Sequence, residues 1–453
     1  MNPGLVVKLR PAGPWRIGPD SGARNRVDSI YHSDTLFSAV SSAMAQLGSL
    51  DGWLAATARA AAPAVSFSSC FPFLDEIGFV IPPRTIWPPA APALLAARVR
   101  WKSARFVPIA IVEAILAGRK LEEHRWSVDG PSQCLVPAGR PGPFRIDVRW
   151  NAAVDRLTGS SERHSTACLE FRPGAGLWTV VSFLDDAARD RWLDPVKAAF
   201  RLLADTGFGG RRSRGWGRSE PPEFLDGQLP GMILPPPPAA EPPAPTPEPI
   251  AESAAVEAPE AIVPLIVEPE AVPVEDQSLG PCDSVPSPEP AAAPLLESEP
   301  PALAGAFVEA PPEESAAPPC EPFEPEAEPE PEPAPAPEPP APTEPPPPQP
   351  VTEPPAPETA QLHWLLSLFS PAPADAVDWT RGNYSVVTRA GRVESPNGSG
   401  EPKKLVQMIA EGSVLCGGAP PVGAAPDVAP DGFAHPVFRA GFAVAIPLPR
   451  VRS

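Results

Sequence analysis

Apolar residues recur along this chain with two periods, and the period assigns most of the elements. Leu5-Val6-Val7-Lys8-Leu9 reads as a strand, followed by a loop from Pro11 to Tyr31 rich in Gly, Pro and Arg. Leu36, Phe37, Val40, Met44 and Leu47 fall at helical spacing, which predicts a helix from Ser33 to Gly48 with one buried face. Ser33 suits the N-cap, and Asp34 suits the positive end of the helix dipole. A second helical segment is expected from Asp51 to Ala62. Val65-Ser66-Phe67-Ser68 alternates as a half-buried strand does, and Gly78 to Ile81 predicts another. A helix is expected at Ile109–Ala117 and strands at Phe144–Trp150, Thr166–Phe171 and Trp178–Phe183. A helix from Asp185 to Ala204, with Pro195 as a kink point, then enters a glycine-rich stretch. Stripped of insertions the order is strand, helix, strands, helix, strand, the ferredoxin-like α+β arrangement. Strand-like runs return at Trp364–Phe369, Tyr384–Thr388, Leu405–Ile409 and Phe442–Pro447. They predict a second small α+β or mostly β domain.

Between these blocks the periodicity vanishes. Residues 234–360 hold 42 of the 74 prolines, 26 acidic residues and no Lys or Arg. Proline fixes φ and removes a backbone donor, and like charges repel, so the stretch is expected to be a disordered, polyproline-II-rich spacer. The organisation read from the sequence is therefore a domain at 1–230, an acidic linker at 231–360 and a domain at 361–453. The formal net charge of −19 belongs to the linker. Residues 1–233 carry 28 basic and 22 acidic residues, and residues 361–453 carry 8 and 7. Cys70, Cys134, Cys168, Cys282, Cys320 and Cys416 have neither zinc spacing nor a disulfide pattern. No signal-like start and no apolar run of about 18 residues occurs. A cytoplasmic protein that binds neither a cofactor nor a membrane is expected.

The chemistry concentrates at Thr206-Gly207-Phe208-Gly209-Gly210-Arg211-Arg212-Ser213-Arg214-Gly215-Trp216-Gly217-Arg218. Glycines let a backbone approach a ligand closely and present its N–H groups. The arginines supply forked donors for phosphate oxygens. Phe208 and Trp216 offer stacking surfaces for unstacked bases. The Lys-Ser/Thr of a Walker loop is missing, and Arg212 stands where G-x-G-x-x-G requires its third glycine, so neither standard nucleotide motif is present. RNA backbone binding is the expected role. A second basic stretch, Arg98, Arg100, Lys102 and Arg105 with Trp101 and Phe106 interleaved, puts its charges on one side if it is a strand. Arg24 and Arg26 precede the first helix, near enough to its N-terminus to approach a phosphate. His124, His164 and His435 are isolated and suggest no metal site.

The run Ala204 to Ser213 resembles the glycine-rich signature of the repeat-associated RNA-binding proteins of CRISPR systems, the RAMP superfamily. Within it, the wording is similar to the family of the fourth Csm subunit of type III-A complexes. His32-Ser33-Asp34-Thr35-Leu36-Phe37-Ser38-Ala39 resembles the family's first-helix start, and Ser69-Cys70-Phe71-Pro72-Phe73 its following strand. Leu365 to Ser370, Glu411-Gly412-Ser413 and His435-Pro436-Val437-Phe438-Arg439 resemble its C-terminal domain. Asp155-Arg156-Leu157-Thr158 matches the family's Asp-Arg-x-Thr run, while Asn151 and Ala152 replace its usual Arg-Asn pair. The resemblance implies a non-catalytic subunit that binds the 5′ handle of crRNA. It further implies docking on the large polymerase-like subunit and on a backbone subunit. The region around residues 98–106 would then belong to a protruding hairpin that inserts into the crRNA. Gly207, Gly209, Gly210, Arg211, Arg212, Ser213, Arg214, Gly215, Trp216, His32, Ser33, Arg24, Arg26, Arg100, Lys102, Arg105 and Arg156 are the expected RNA contacts. The alternative is a crRNA-processing endoribonuclease with His32 as general base, for which no acidic partner is visible nearby. A third reading, a Pro-rich rod spanning a periplasm, requires an N-terminal anchor for which the sequence gives no sign.

The linker's acids can compete for the basic loop and suppress non-specific binding. Deleting residues 240–355 is then expected to raise affinity for unrelated RNA at low salt, measured by filter binding; unchanged affinity refutes that role.

Overall fold

In the computed structural model the described residues are 2–18, 23–89, 95–235, 360–395 and 398–449. The linker reading therefore lies almost wholly outside the described residues. The N-terminal block begins with β1 (Asn2–Leu9), α1 (Ser33–Gln46), α2 (Leu50–Ala56), β2 (Val65–Phe67), β3 (Phe71–Leu74) and β4 (Ile77–Val80). An insertion follows, comprising α3 (Leu95–Trp101), β5 (Val107–Pro108), α4 (Ile109–Leu116), β6 (Trp126–Asp129) and β7 (Cys134–Pro137). A long hairpin, β8 (Phe144–Val154) and β9 (Ser161–Phe171), leads to β10 (Ala175–Phe183), α5 (Asp186–Thr206) and β11 (Glu223–Leu229). The main sheet runs β11-β1-β10-β3-β4-β5, with β2 also on β10. Every pairing in it is antiparallel, and β1 lies between β11 and β10, with Val6 opposite Leu225 on one side and Val180 on the other.

Periodicity explains how the helices cover this sheet. Leu5, Val7 and Leu9 alternate along β1 and are fully buried. In α1 the buried side chains include Leu36, Phe37, Val40, Ala43 and Met44, and in α5 Trp192, Val196, Ala199, Phe200 and Leu203. Both sets follow the three-to-four spacing of a helix face. Trp53 of α2 stacks on Phe37 at 5.7 Å and meets Trp192 edge-on at 5.4 Å, tying α1, α2 and α5 together. Helix α5 starts at the expected place, where the Asp185 carboxylate accepts from the Ala188 N–H at 2.7 Å. It continues through Pro195 and ends at Gly207, whose φ is 95°.

Three sequence expectations change. The basic stretch at 98–106 is not a strand: Arg98 and Arg100 lie in α3, and Trp101 is buried and stacked on Trp87. The long hairpin of this block is instead β8–β9, eleven residues per strand. Ser33 does not cap α1; it is the first helical residue, and His32 occupies the N-cap without a side-chain bond to the helix.

The third change concerns the C-terminal block, which contains no helix among its described residues. It comprises β12 (Gln361–Leu365), β13 (Val377–Asn383), β14 (Val386–Arg389), β15 (Arg392–Ser395), β16 (Gly398–Pro402), β17 (Val406–Ile409), β18 (Val414–Gly417), β19 (Gly423–Ala424), β20 (Gly441–Phe442) and β21 (Ala445–Leu448). A four-stranded sheet, β13-β18-β12-β21, is accompanied by the ribbons β14–β17, β15–β16 and β19–β20. Prolines at 420, 421, 426, 430 and 436 remove N–H donors at intervals too short for a helix to fit between them.

The described residues of the two blocks form one compact unit. The alternation of β12 shows how the two halves join. Trp364 belongs to the large core of the N-terminal block, whereas Leu365 packs with Phe369, Ile409 and Leu415 in a core of the C-terminal block itself. The Trp364 indole donates to the Ile81 carbonyl at 3.1 Å, and Phe442 meets Phe37 edge-on at 5.6 Å. Gly412, with φ of 79°, is pressed so close that a Cβ there would lie 2.4 Å from Ile81 Cγ2. The chain is thus mixed α/β with a second domain built of strands.

Candidate functional site

The glycine–arginine stretch closes on the segment that follows β1. Phe208 donates its N–H to the Gly217 carbonyl, Gly210 to Arg16, and Gly217 to Pro14, all at 2.9–3.0 Å. The glycines are required by this contact: a Cβ on Gly209 would lie 2.4 Å from the Arg16 carbonyl oxygen, and one on Gly217 2.0 Å from that of Phe208. Several of the loop's N–H groups are therefore committed within the protein and do not face outward as the sequence suggested. Phe208 is likewise no stacking platform. It is 1% exposed and lies between Trp15, stacked at 5.0 Å, and the rings of Tyr31 and Phe200. What the loop does present is a short turn, Arg212–Arg214, whose residues are exposed.

The hairpin β8–β9 buttresses that turn. Arg214 donates to Asn151 Oδ1 at 2.9 Å, Arg211 to Thr166 Oγ1 at 3.4 Å, and the Arg149 guanidinium lies 5.6 Å from the Trp216 ring. Asn151, the departure from the expected Arg-Asn pair, thus holds one of the loop arginines. At the hairpin tip Asp155 accepts from the Leu157 N–H and the Thr158 hydroxyl, both at 2.8 Å, and Arg156 is exposed. The Asp-Arg-x-Thr run is therefore a turn that displays its arginine. Ile146, Val148, Trp150 and Val154 project from one face of β8 and are 43–66% exposed.

A cleft of about 350 Å³ lies beside the glycines. Arg16, Gly207, Gly209, Gly210 and Arg212 line one side, Thr35, Ser38 and Ser42 of α1 another, and Arg389, Arg392 and Lys403 of the C-terminal domain a third. None of the described residues that line it is acidic. The hydroxyls recur at helical spacing along α1, and the cations converge from segments more than 170 residues apart. The guanidinium of Arg16 is turned away from the cleft and donates to the carbonyls of Ala23, Arg24, Arg26 and Ala167. Burial, with Arg211 nearby, lowers its pKa. Arg16 thereby shapes the 23–26 segment by its contacts with the backbone. The side chains of Arg24 and Arg26 are exposed outside the cleft. Arg100 pairs with Glu123 at 2.9 Å, Lys102 is exposed, and Arg105 bonds Ser29 at 2.8 Å and Asp28 at 3.3 Å. The cleft lining includes none of these three.

Below the cleft, charges are buried in pairs. Asp34 accepts from Arg389 Nε at 3.1 Å and Nη2 at 3.0 Å, and from Arg439 Nη1 at 2.6 Å. Burial alone would raise the Asp34 pKa, but the two guanidinium groups hold it down at about 2. His32 is engaged at both ring nitrogens, Nδ1 at 2.7 Å from Glu411 and Nε2 at 3.2 Å from Asp28. Burial would lower the imidazolium pKa; the Glu411 charge and the bonds to both carboxylates outweigh it and lift it to about 9. Glu411 is held below its ordinary value against its own burial by His32 and by the Ser69 hydroxyl. Ser33 accepts the Leu368 N–H at 3.0 Å. The acidic partners of His32 were not apparent from the sequence. Asp28 is four residues away in a loop, and Glu411 comes from the other domain. Arg389, Arg392, Lys403 and Arg439 were missed as site residues for the same reason.

Among the described residues no group of His, Cys, Asp or Glu is arranged to hold a metal ion, and no helix is long and apolar enough to cross a membrane.

Comparison with solved structures finds similar chains that are distant in sequence. One belongs to a Csm3-Csm4 subcomplex of the type III-A CRISPR-Cas interference complex, at 10% identity, covering 98% of this chain and 99% of the other, with a TM-score of 0.48. Another comes from a Csm1-Csm4 cassette in complex with cA4, at 13% identity over the whole of both chains, with a TM-score of 0.44. No curated protein matches the chain. Residues 358–448 match the family of the CRISPR Csm4 C-terminal domain. That segment holds Glu411 and Arg439, both in sequence runs singled out by the resemblance, together with the cationic wall of the cleft. The match of residues 358–448 to that family agrees with the resemblance to the fourth Csm subunit read from the sequence.

Proposed function

We propose that this chain is the non-catalytic subunit of a type III-A Csm complex that binds the 5′ handle of crRNA and caps that end of the assembly. The observation that carries the reading is the cleft in which arginines and a lysine from both domains converge beside the glycine–arginine loop. Phosphodiesters are held by such charges, and a non-specific backbone grip needs no base contacts. The strand order β11-β1-β10-β3, with α1 and α5 as crossovers, supports a ferredoxin-like RAMP domain with the β8–β9 hairpin as its insertion. The large polymerase-like subunit and a backbone subunit are the expected protein partners in the cytoplasm. The exposed apolar face of β8 is suited to a partner surface or to unstacked bases.

The geometry of His32 disfavours the nuclease alternative. A general base needs a free nitrogen and a pKa near the working pH, whereas this imidazole is bonded to carboxylates on both sides and is held protonated to about 9.

The Arg212→Ala/Arg214→Ala variant is expected to weaken binding of repeat-derived single-stranded RNA about a hundredfold or more, since charge-assisted bonds contribute roughly 1.5–3 kcal/mol each. Fluorescence anisotropy of the full chain measures this. Cleavage of the same RNA, lost in His32→Ala, would establish the endoribonuclease instead.

A further inference from the structure

The expected RNA contacts all lie in the N-terminal block, yet the cleft has a third wall. The ribbon β15–β16 supplies it. Arg392 opens β15 opposite Pro402, and the N–H of the next residue, Lys403, donates to the Gly391 carbonyl at 2.9 Å, so the ribbon brings both side chains to the cleft. Arg389, two residues before Gly391, is fixed by Asp34 at the base of the cleft, and its charge is largely spent there. Arg392 differs. It is exposed, donates to the Gly400 carbonyl, and forms no ion pair with any described residue. A carbonyl leaves a guanidinium its full charge and most of its donors. The Lys403 side chain is half-buried at the mouth, next to the α1 hydroxyls of Ser38 and Ser42.

We propose that Arg392 and Lys403 form a second phosphate subsite, on the C-terminal domain, so that one RNA strand is gripped from both sides of the cleft. The proposal rests on the RNA-binding reading above and deepens it. The loop turn Arg212–Arg214 holds one phosphate of the strand and the β15–β16 ribbon another, with the α1 hydroxyls lying between them for ribose or phosphate oxygens. A cleft of about 350 Å³ is within the ~300–1,000 Å³ range of sites that enclose small ligands, suited to a nucleotide of a single strand. Asp34 acts here as a positioning residue: it anchors Arg389 at the end of β14 and Arg439, which itself donates to the Ala390 carbonyl just ahead of the ribbon.

The test uses the full chain, a labelled repeat-derived single-stranded RNA of about twelve nucleotides and a salt titration. Arg392→Ala/Lys403→Ala is expected to lower affinity about tenfold at low salt and to reduce the slope of log K against log salt by about 1.4, the value for two single-strand phosphates. If that variant keeps the wild-type affinity and slope while Arg212→Ala/Arg214→Ala binds weakly, the subsite is overturned and the RNA reading stands. If neither variant changes binding, the RNA reading itself fails. Should the alanine pair lower the thermal midpoint, the charge-retaining Arg392→Lys/Lys403→Arg pair decides. Wild-type binding by that pair supports the subsite, and binding as weak as that of the alanine pair overturns it.

Discussion

Asp34→Ala is expected to lower the unfolding free energy by about 3–5 kcal/mol, because it removes the carboxylate that bonds two buried arginines. Arg389 and Arg439 are 5% and 6% exposed, and the Asp34 carboxylate pairs with both. Removing one member of a buried charge cluster costs far more than removing all of it, since no uncompensated ion then remains. A triple variant that also carries Arg389→Met and Arg439→Met should therefore recover most of the loss. Urea unfolding of the full chain followed by tryptophan fluorescence measures both, with Trp364 and Trp53 reporting from either side of the junction. A loss in Asp34→Ala of less than about 1 kcal/mol, the level of an exposed pair, would show that the cluster is solvated.

The second large effect is on pH dependence. His32 is raised from 6.5 to about 9 in the folded chain, so its contribution is complete below pH 6.5 and disappears as pH rises through 9. Glu411 and Asp34 are shifted downward. Their contribution is present above the ordinary carboxylate range and is lost only on acidification. Stability should be greatest near pH 5–6.5 and fall by roughly 3 kcal/mol towards pH 10, at 1.36 kcal/mol per pKa unit. His32→Gln removes the titrating group and should flatten the alkaline limb in urea midpoints taken at about pH 6 and pH 9.5. An equally steep limb in that variant would place the titration on another residue.

Where the sequence was legible, the signal was local and periodic. The buried faces of α1 and α5, the start of α5 at Asp185 and the end at Gly207 all follow from spacing and capping within one element. Residues 98–102 misled because alternating charges fit a strand and also fit successive turns of a short helix; the deciding contact, Trp101 on Trp87, involves a residue fourteen positions away. Phe208 misled because a ring in a glycine–arginine stretch is as useful to a core as to a base, and the partners that bury it, Trp15 and Tyr31, come from an irregular segment. The site was half legible. The glycines and arginines of the loop declare themselves by composition, but the charges opposite them are brought in by β14 and β15 from more than 170 residues downstream. No local pattern distinguishes Glu411 from an ordinary surface glutamate until His32 lies 2.7 Å from it.

The sharing of one core between the two ends of the chain also has a consequence in time. The N-terminal block is complete at β11, but Trp364, Phe442 and Ile446 belong to its core, and Arg439 to the charge of Asp34. At translation rates of about 5–20 residues per second, the ribosome needs roughly 10–40 s to travel from the end of β11 to β21. Throughout that interval the nascent N-terminal block carries an apolar face on α1 and an unneutralised Asp34, both awaiting residues not yet synthesised. This is the window in which a chaperone is most useful to the protein and in which premature termination is most damaging.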